Sequence, residues 1–240
     1  MHRFFLPPEA FQADTVHFPP ETAHQIRRVL RLGAGAEVLA LDNQGWQYRV
    51  QLTGDDLGQV LSRQAAAGEP ALHLTLYLAL TQREKFEWAL QKCTEAGVSA
   101  FVPFVSTRSL VQDAQDAHKK LPRWQKIVQE AAEQSGRGRI PPVAAPLPWA
   151  GALKSAQAAS LRWIAWEEEQ QTGLRAALRG LSPAPGQTAA VFIGPEGGFT
   201  PAEVEQARQS GCQPLSLGPR ILRMETAALA AAVLLVYELG

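Results

Sequence analysis

The segment 191-VFIGPEGGFTPAE-203 decides how the second half of this chain is read. An apolar run from Ala189 to Ile193 reads as a buried strand. It enters a loop with glycines at 194, 197 and 198 around Glu196. Thr200, Pro201 and Glu203 then fit a helix start: a capping hydroxyl, a proline at the first helical position, and a glutamate three residues after the cap. In open α/β sheets, ligands bind at this carboxyl end of the strands, where a helix N-terminus also presents free N–H groups. The loop is a poor phosphate cradle. No Lys-Ser/Thr follows the glycines, the spacing is not the dinucleotide fingerprint, and Glu196 would repel a phosphate. Two readings stay open: a site for a neutral or cationic ligand, or a tight turn without one.

The same grammar extends in both directions from this segment. In 72-LHLTLYLAL-80 leucine alternates as in a strand, and Phe86, Ala89, Leu90 and Cys93 give a helix over 85–96 stopped by Gly97. A strand at 100–104 and a helix at 122–135 follow. Beyond the proline-rich 141–148 come a short helix, a strand at 161–166 and a helix at 171–180. After the glycine loop, a helix at 201–210, a strand at 214–217 and a helix at 225–238 complete the chain. Alternating strands and helices predict a parallel sheet covered on both faces, an α/β domain. The last helix, in 225-ETAALAAAVLLVYELG-240, is apolar nearly all round and is predicted to be buried on most sides. It follows 217-LGPRILRMETA-227, where Arg220, Arg223 and Glu225 form a polar cluster that a plain core would avoid. If strands 189–193 and 214–217 are neighbours, this cluster meets the glycine loop.

Residues 1–64 read as mostly β. Segments 3–6 and 15–18 are short strands, and 37–41 and 47–52 flank the turn cluster Asp42-Asn43-Gln44-Gly45. A helix from Glu21 to Leu32, ended by Gly33, carries Arg27, Arg28 and Arg31 on one edge. Ala65 to Pro70 reads as a linker. A small β-barrel is expected, a scaffold often used on nucleic acid.

Composition narrows the classes. The 240 residues are 46% hydrophobic and 19% charged, with 23 basic and 23 acidic side chains. No apolar run approaches the ~20 residues of a membrane span, and no signal peptide is recognised, so a cytoplasmic protein is expected. Cys93 and Cys212 lack metal or redox spacing and read as buried thiols, and the five scattered histidines point to no metal site. Segment 119–139 holds Lys119, Lys120, Arg123, Lys126, Arg137 and Arg139 against Glu130 and Glu133, either a nucleic-acid patch or a solvated helix face.

Seven segments carry a resemblance. 192-FIGPEGGFT-200 followed by 217-LGPRILRMETAAL-229 is similar to the SPOUT superfamily of RNA methyltransferases. Within it the chain resembles the bacterial 16S ribosomal RNA uridine N3-methyltransferases of the RsmE type. 1-MHRFF-5 and 24-HQIRRVLRL-32 resemble their N-terminal PUA-like domain. 86-FEWALQKCTEAGV-98, 101-FVPFVSTRS-109 and 123-RWQKIVQEAAEQSGRGRIPPV-143 resemble the first half of their catalytic domain. The chain departs from the pattern at Gln25, where a second histidine is usual, and at Gln82-Arg83, where Lys-Gly is usual.

The resemblance implies a PUA-like β-barrel over 1–68 and, over 71–240, a SPOUT-type parallel sheet with a C-terminal deep trefoil knot. It implies S-adenosylmethionine as cofactor, held by Trp166, Glu167, Ile193, Gly194, Pro195, Glu196, Gly197, Gly198, Leu217, Gly218, Ile221, Leu222, Arg223 and Thr226. Arg223, with Arg220 as alternative, would stabilise charge on the uracil oxygens, and Glu225 or Glu196 would accept the N3 proton. RNA contacts are assigned to Arg3, Arg28, Arg31, Lys85, Arg108 and Arg137. The implied partners are 16S ribosomal RNA within an assembled small subunit and a second copy of the chain, without metal or membrane. The rival readings are methylation of another RNA nucleotide and an RNA-binding module that transfers nothing.

Overall fold

A computed structural model describes residues 1–182 and 186–240. The chain separates into two compact units, 1–69 with 132–140 and 70–131 with 141–240. A cut between 68 and 71 therefore leaves out of the first unit a segment, 132–140, that belongs to it.

The first unit is one mixed sheet built from β1 (Arg3–Phe5), β2 (Phe11–Gln12), β3 (Thr15–His17), β4 (Glu37–Leu41), β5 (Trp46–Leu52) and β6 (Leu57–Ala65). The order is β1-β4-β5-β6-β3-β2, with β1 parallel to β4 and the other pairs antiparallel. Phe4, Val16, Phe18, Ile26, Val38 and Val50 fill its core. The long strand β6 follows Asp55-Asp56 and lacks a strong alternating pattern, so it escapes a reading by periodicity. Helix α1 (Pro20–His24) continues as a π-turn over Gln25–Val29 and stops before Gly33. Arg31, at φ 56°, takes the left-handed position instead, and Leu32 N–H returns to the Ile26 carbonyl at 3.0 Å.

Residues 65–70 are not a free linker. Glu69 accepts from Arg137 Nη2 at 2.7 Å and from the backbone N–H groups of Gly138 and Arg139, both at 3.1 Å. The β4–β5 turn is held in the same way: Asp42 Oδ1 accepts from the Gln44 and Trp46 amides at 2.8 and 3.1 Å, and Asn43 Oδ1 from Ile140 N–H at 2.7 Å. Gly138 is required here because a Cβ would collide with Ala66.

The second unit is a parallel sheet of β7 (His73–Ala79), β8 (Ala100–Val105), β9 (Leu147–Pro148), β10 (Leu161–Ala165), β11 (Thr188–Ile193) and β12 (Gln213–Leu215). Its order is β12-β10-β11-β7-β8-β9. The connecting helices are α2 (Arg83–Glu95), α3 (Ala114–His118), α4 (Leu121–Ser135), α5 (Trp149–Ala156), α6 (Leu174–Ala177), α7 (Pro201–Gln209) and α8 (Met224–Leu239). Helix α4 ends in the first unit, which begins again at Ala132. Central strands with both faces covered bury side chains without alternation, and Leu74, Leu76, Tyr77, Leu78 and Ala79 are all buried.

Two helices differ from expectation. The helix read over 171–180 shrinks to one turn because its first residues are held extended: Ser216 N–H donates to the Thr172 carbonyl at 2.8 Å and Leu174 N–H to Ser216 at 3.0 Å. Gly180, at φ 82°, ends the segment. Helix α8 buries one face only, through Met224, Ala228, Ala231, Ala232, Leu235 and Leu239. Its other face leaves Val233, Leu234 and Tyr237 exposed, the last at 82%. No helix among the described residues is long and apolar enough to cross a membrane.

Arg137 is 2% exposed. Glu69→Ala removes the carboxylate that accepts from Arg137 and from the Gly138 and Arg139 amides, and should destabilise the protein by about 1–3 kcal/mol in urea unfolding. Glu69→Gln, which keeps an acceptor oxygen for the Gly138 and Arg139 amides, should lose less than Glu69→Ala.

Candidate functional site

The site is a consequence of strand register. Leu78 pairs with Ile193, Ile193 with Ala165, and Ala165 with Leu215, so four adjacent parallel strands end in one row. Trp166 N–H extends the row by donating to the Leu215 carbonyl at 3.0 Å. Strands β11 and β12 are not neighbours, since β10 lies between them. The glycine loop and the 217–227 segment still meet, because all three chains leave the sheet at the same edge. Between them lies a cleft of about 250 Å³.

Each glycine in the loop serves a different contact. Gly198 N–H closes a turn onto the Pro195 carbonyl at 2.9 Å, with φ 67° at Gly198, and a Cβ there would collide with the Glu167 carboxylate. A Cβ on Gly194 would meet the Phe199 ring at 3.0 Å. That ring is buried and stacks at 6.2 Å on Phe104, anchoring the loop in the core. A Cβ on Gly197 would meet Arg108 at 3.2 Å, and Arg108 Nη1 donates to the Gly197 carbonyl at 2.8 Å. The space beside these glycines is thus occupied by the chain's own side chains rather than left open.

The capping box read from the sequence is present at α7: Glu203 N–H donates to Thr200 Oγ1 at 3.2 Å, and Thr200 N–H to Glu203 Oε2 at 2.9 Å. The buried Glu203 does more than cap. Its Oε1 accepts from Thr107 N–H at 2.8 Å, which ties the segment after β8 to the glycine loop.

Glu196 stands on the cleft wall and pairs with Lys85 at 3.0 Å. Burial pushes its carboxyl up, but the Thr81 hydroxyl, its own backbone N–H and the Lys85 ammonium together outweigh burial and hold it below the usual carboxylate value. Trp166 Nε1 and Glu225 Oε2 are buried atoms that close no hydrogen bond in this geometry. Arg220 and Arg223 line the cleft, and neither forms an ion pair among the described residues. Both cysteines are free and buried, and burial, partly offset by Arg162, pushes Cys212 up to about 11. Among the described residues no group of three or more His, Cys, Asp or Glu is arranged to hold a metal.

Of the residues expected at the cofactor, Trp166, Glu167, Ile193, Gly194, Pro195, Glu196, Gly198, Leu217, Gly218, Ile221, Leu222 and Arg223 line the cleft. Gly197 and Thr226 do not, Gly197 because it faces Arg108. Glu225 lies one residue beyond the lining Met224. Ala165, Phe199, Ser216, Met224 and Ala227 also line the cleft. Most sit beside a residue read from the motifs, so chain continuity was the available signal. The basic residues divide sharply. Arg28, Arg31 and Arg108 are exposed, Arg3 is half-buried, and Lys85 is paired with Glu196. Arg137 is a buried structural tie to Glu69 and offers nothing to a phosphate. The patch at 119–139 is largely consumed as well: Arg123 chelates Glu87 at 2.6 and 2.8 Å, and Lys119 pairs with Asp116 at 2.6 Å.

A cleft at the strand ends of a parallel sheet is the usual ligand site of α/β domains, and residues 68–236 match the family described as RNA methyltransferase domain, which makes this unit a methyltransferase domain. The chain is 36% identical over 228 residues to ribosomal RNA small subunit methyltransferase E of Synechocystis sp., covering 94% of this chain and 74% of that protein. It is 34% identical over 248 residues to the protein of the same name in Bacillus subtilis, covering 99% and 97%. The crystal structure of ribosomal RNA small subunit methyltransferase E from Neisseria gonorrhoeae bound to S-adenosyl methionine superposes with a TM-score of 0.85 at 32% identity, covering 100% of this chain and 98% of that one. The chain belongs to the ribosomal RNA small subunit methyltransferase E family.

The Lys85–Glu196 pair has a defined pH signature. A carboxyl held low in the folded state contributes stability above its unfolded value, and this is lost as pH falls through the folded one. Lys85→Met removes one of the groups lowering Glu196. The acid limb of thermal stability should therefore move to higher pH, as followed by melting temperature against pH.

Proposed function

We propose that this chain is an S-adenosylmethionine-dependent methyltransferase that modifies N3 of a uridine in 16S ribosomal RNA. One observation carries the reading: the cleft at the in-register strand ends is lined by the Glu167 and Glu196 carboxylates together with the Arg220 and Arg223 guanidiniums, which have no ion-pair partner among the described residues. Glu167 and Glu196 suit a cationic sulfonium cofactor, where a phosphate would be repelled. Residues 217–223 run outside any helix or ladder. Ser216 Oγ engages both backbone groups of Gly218, and Ala227 N–H the Arg223 carbonyl. The backbone of Leu217 and of 220–222 meets an adenine edge, with Leu217 and Leu222 as apolar cover. The cofactor, when bound, supplies the methyl group on its sulfonium sulfur.

The chain's own residues supply orientation and charge. Most of the acceleration comes from holding the two reactants together. Arg223 is the N-cap of α8 and stabilises the negative charge that grows on the uracil oxygens as the N3 proton leaves. Arg220 stands nearby as the alternative. Of the two glutamates, Glu196 is the poorer proton acceptor, because its environment holds it ionised. Glu225, in the first turn of α8 with an unpartnered Oε2, takes the proton.

The rest of the reading follows from family membership and the two units. The mixed sheet of the first unit acts as a PUA-like barrel that clamps RNA through Arg28 and Arg31, with Arg108 and Arg3 as further contacts. The α8 region is a deep trefoil knot, whose alanines allow close crossing of segments. The exposed Val233, Leu234 and Tyr237 face supports a homodimer. The enzyme works in the cytoplasm on the assembled small subunit, without a metal.

Small subunits from a strain lacking the enzyme, incubated with protein and cofactor, should gain one 3-methyluridine in nucleoside mass spectrometry. A 2′-O-methyl product or a methylated guanine would overturn the assignment of the base. Arg223→Ala should lower kcat by roughly a hundredfold while RNA affinity holds, because its partner charge exists only in the transition state. Gly198→Val strains a left-handed position and displaces Glu167, and should abolish cofactor binding in calorimetry. Val233→Asp with Tyr237→Asp should convert the sedimenting dimer to a monomer.

A further inference from the structure

The tip of the β4–β5 turn carries a cluster to which the family motifs contribute Arg139 alone. Trp46 is 39% exposed, and the Arg63 guanidinium lies over its ring at 4.1 Å from the centroid. Arg63 is cross-strand from Tyr48 and lies 5.4 Å from that ring, which in turn packs on Phe11 at 4.6 Å. On the other side of the turn, Arg139 donates from Nη2 to the Gln44 carbonyl at 2.8 Å, with its guanidinium beside Gly45. Both arginines are exposed and form no ion pair among the described residues. The acidic groups nearby are engaged elsewhere: Asp42 with the turn amides, Glu69 with Arg137 and the Gly138 and Arg139 amides.

An exposed indole and a stacked guanidinium offer flat π surfaces, and neither cation is ion-paired among the described residues. That combination fits a nucleobase with its phosphate. We infer that the Trp46–Arg63–Arg139 tip binds one unpaired nucleotide of the RNA substrate. The base stacks on the Arg63–Trp46 pair, and the phosphate is neutralised by the guanidiniums. This rests on the proposed RNA substrate and adds a contact separate from Arg28 and Arg31. It reads no base edge, so it adds affinity and register rather than sequence discrimination.

The test measures dissociation constants for transcribed 16S ribosomal RNA over a salt series, with cofactor affinity and urea unfolding in parallel. Trp46→Ala should weaken RNA binding about tenfold with an unchanged salt slope, since stacking releases no counterion. Trp46→Phe should retain most of the affinity. Arg63→Ala and Arg139→Ala should each weaken binding and flatten the slope of log K against log salt by about one. Cofactor affinity should be unchanged in all four, and ultraviolet crosslinking of the wild type should place a nucleotide adduct on the peptide holding Trp46. If the wild type binds RNA while these variants keep its affinity and slope, or if the tip crosslinks to protein and not RNA, the inference is wrong. If the wild type itself does not bind the RNA, the proposed substrate fails first.

Discussion

The pairing that sets Leu78, Ile193, Ala165 and Leu215 in one row is the constraint on which the site depends. Parallel strands in register deliver every following loop to the same edge. Three stretches separated by many residues therefore converge without any loop having to search for another. A one-residue slip of β12 against β10 would reverse every side chain on β12 and move the 216–223 backbone along the edge. The Ser216 bonds to Thr172 and Leu174 fix that register from the open side, which is why 172–174 is spent as an extended tie and the helix after it is short.

Phe199 and Glu203 stiffen the glycine loop after that. The phenyl ring is driven into the aromatic cluster of Phe104, Trp149 and Phe192 and can reach it because Gly194 has no Cβ. Glu203 spends both carboxylate oxygens on backbone N–H groups of two different segments. A glycine-rich loop would otherwise lose the most conformational entropy on ordering. Here that cost is offset by burial and charge-assisted hydrogen bonds on its far side, which leaves the near side available to a ligand.

Electrostatics sorts the arginines into two populations. Arg137 and Arg123 are consumed by carboxylates, and Arg137 is buried. Arg220 and Arg223 on the cleft, and Arg63 and Arg139 at the turn, keep guanidiniums without carboxylate partners among the described residues. Near-zero net charge conceals this division, because the acidic groups are not spread evenly against the basic ones. Asp42, Asp113, Glu69 and Glu203 are engaged in turn formation, capping and buried ties.

Sequence alone determined most of the second unit's strands and helices, because alternating β and α segments with clear glycine stops admit little else, but it missed α3 and β9 and overran α6. It also determined the α7 capping box and most of the cleft lining, since contiguous motifs put their residues on the same loops. Tertiary structure decided what depends on contacts distant in sequence. The order β12-β10-β11 and the one-sided burial of α8 belong here, as does the return of 132–140 to the first unit. So does the end of the first helix at Arg31, where a residue other than glycine is held left-handed while Gly33 is passed over. Arg137 is the clearest case: it reads as a surface cation in a basic run, and only its pairing with Glu69, far away in the chain, makes it a buried tie. Periodicity reports which face of an element is apolar, whereas the partner that covers it, or neutralises it, is chosen by the fold.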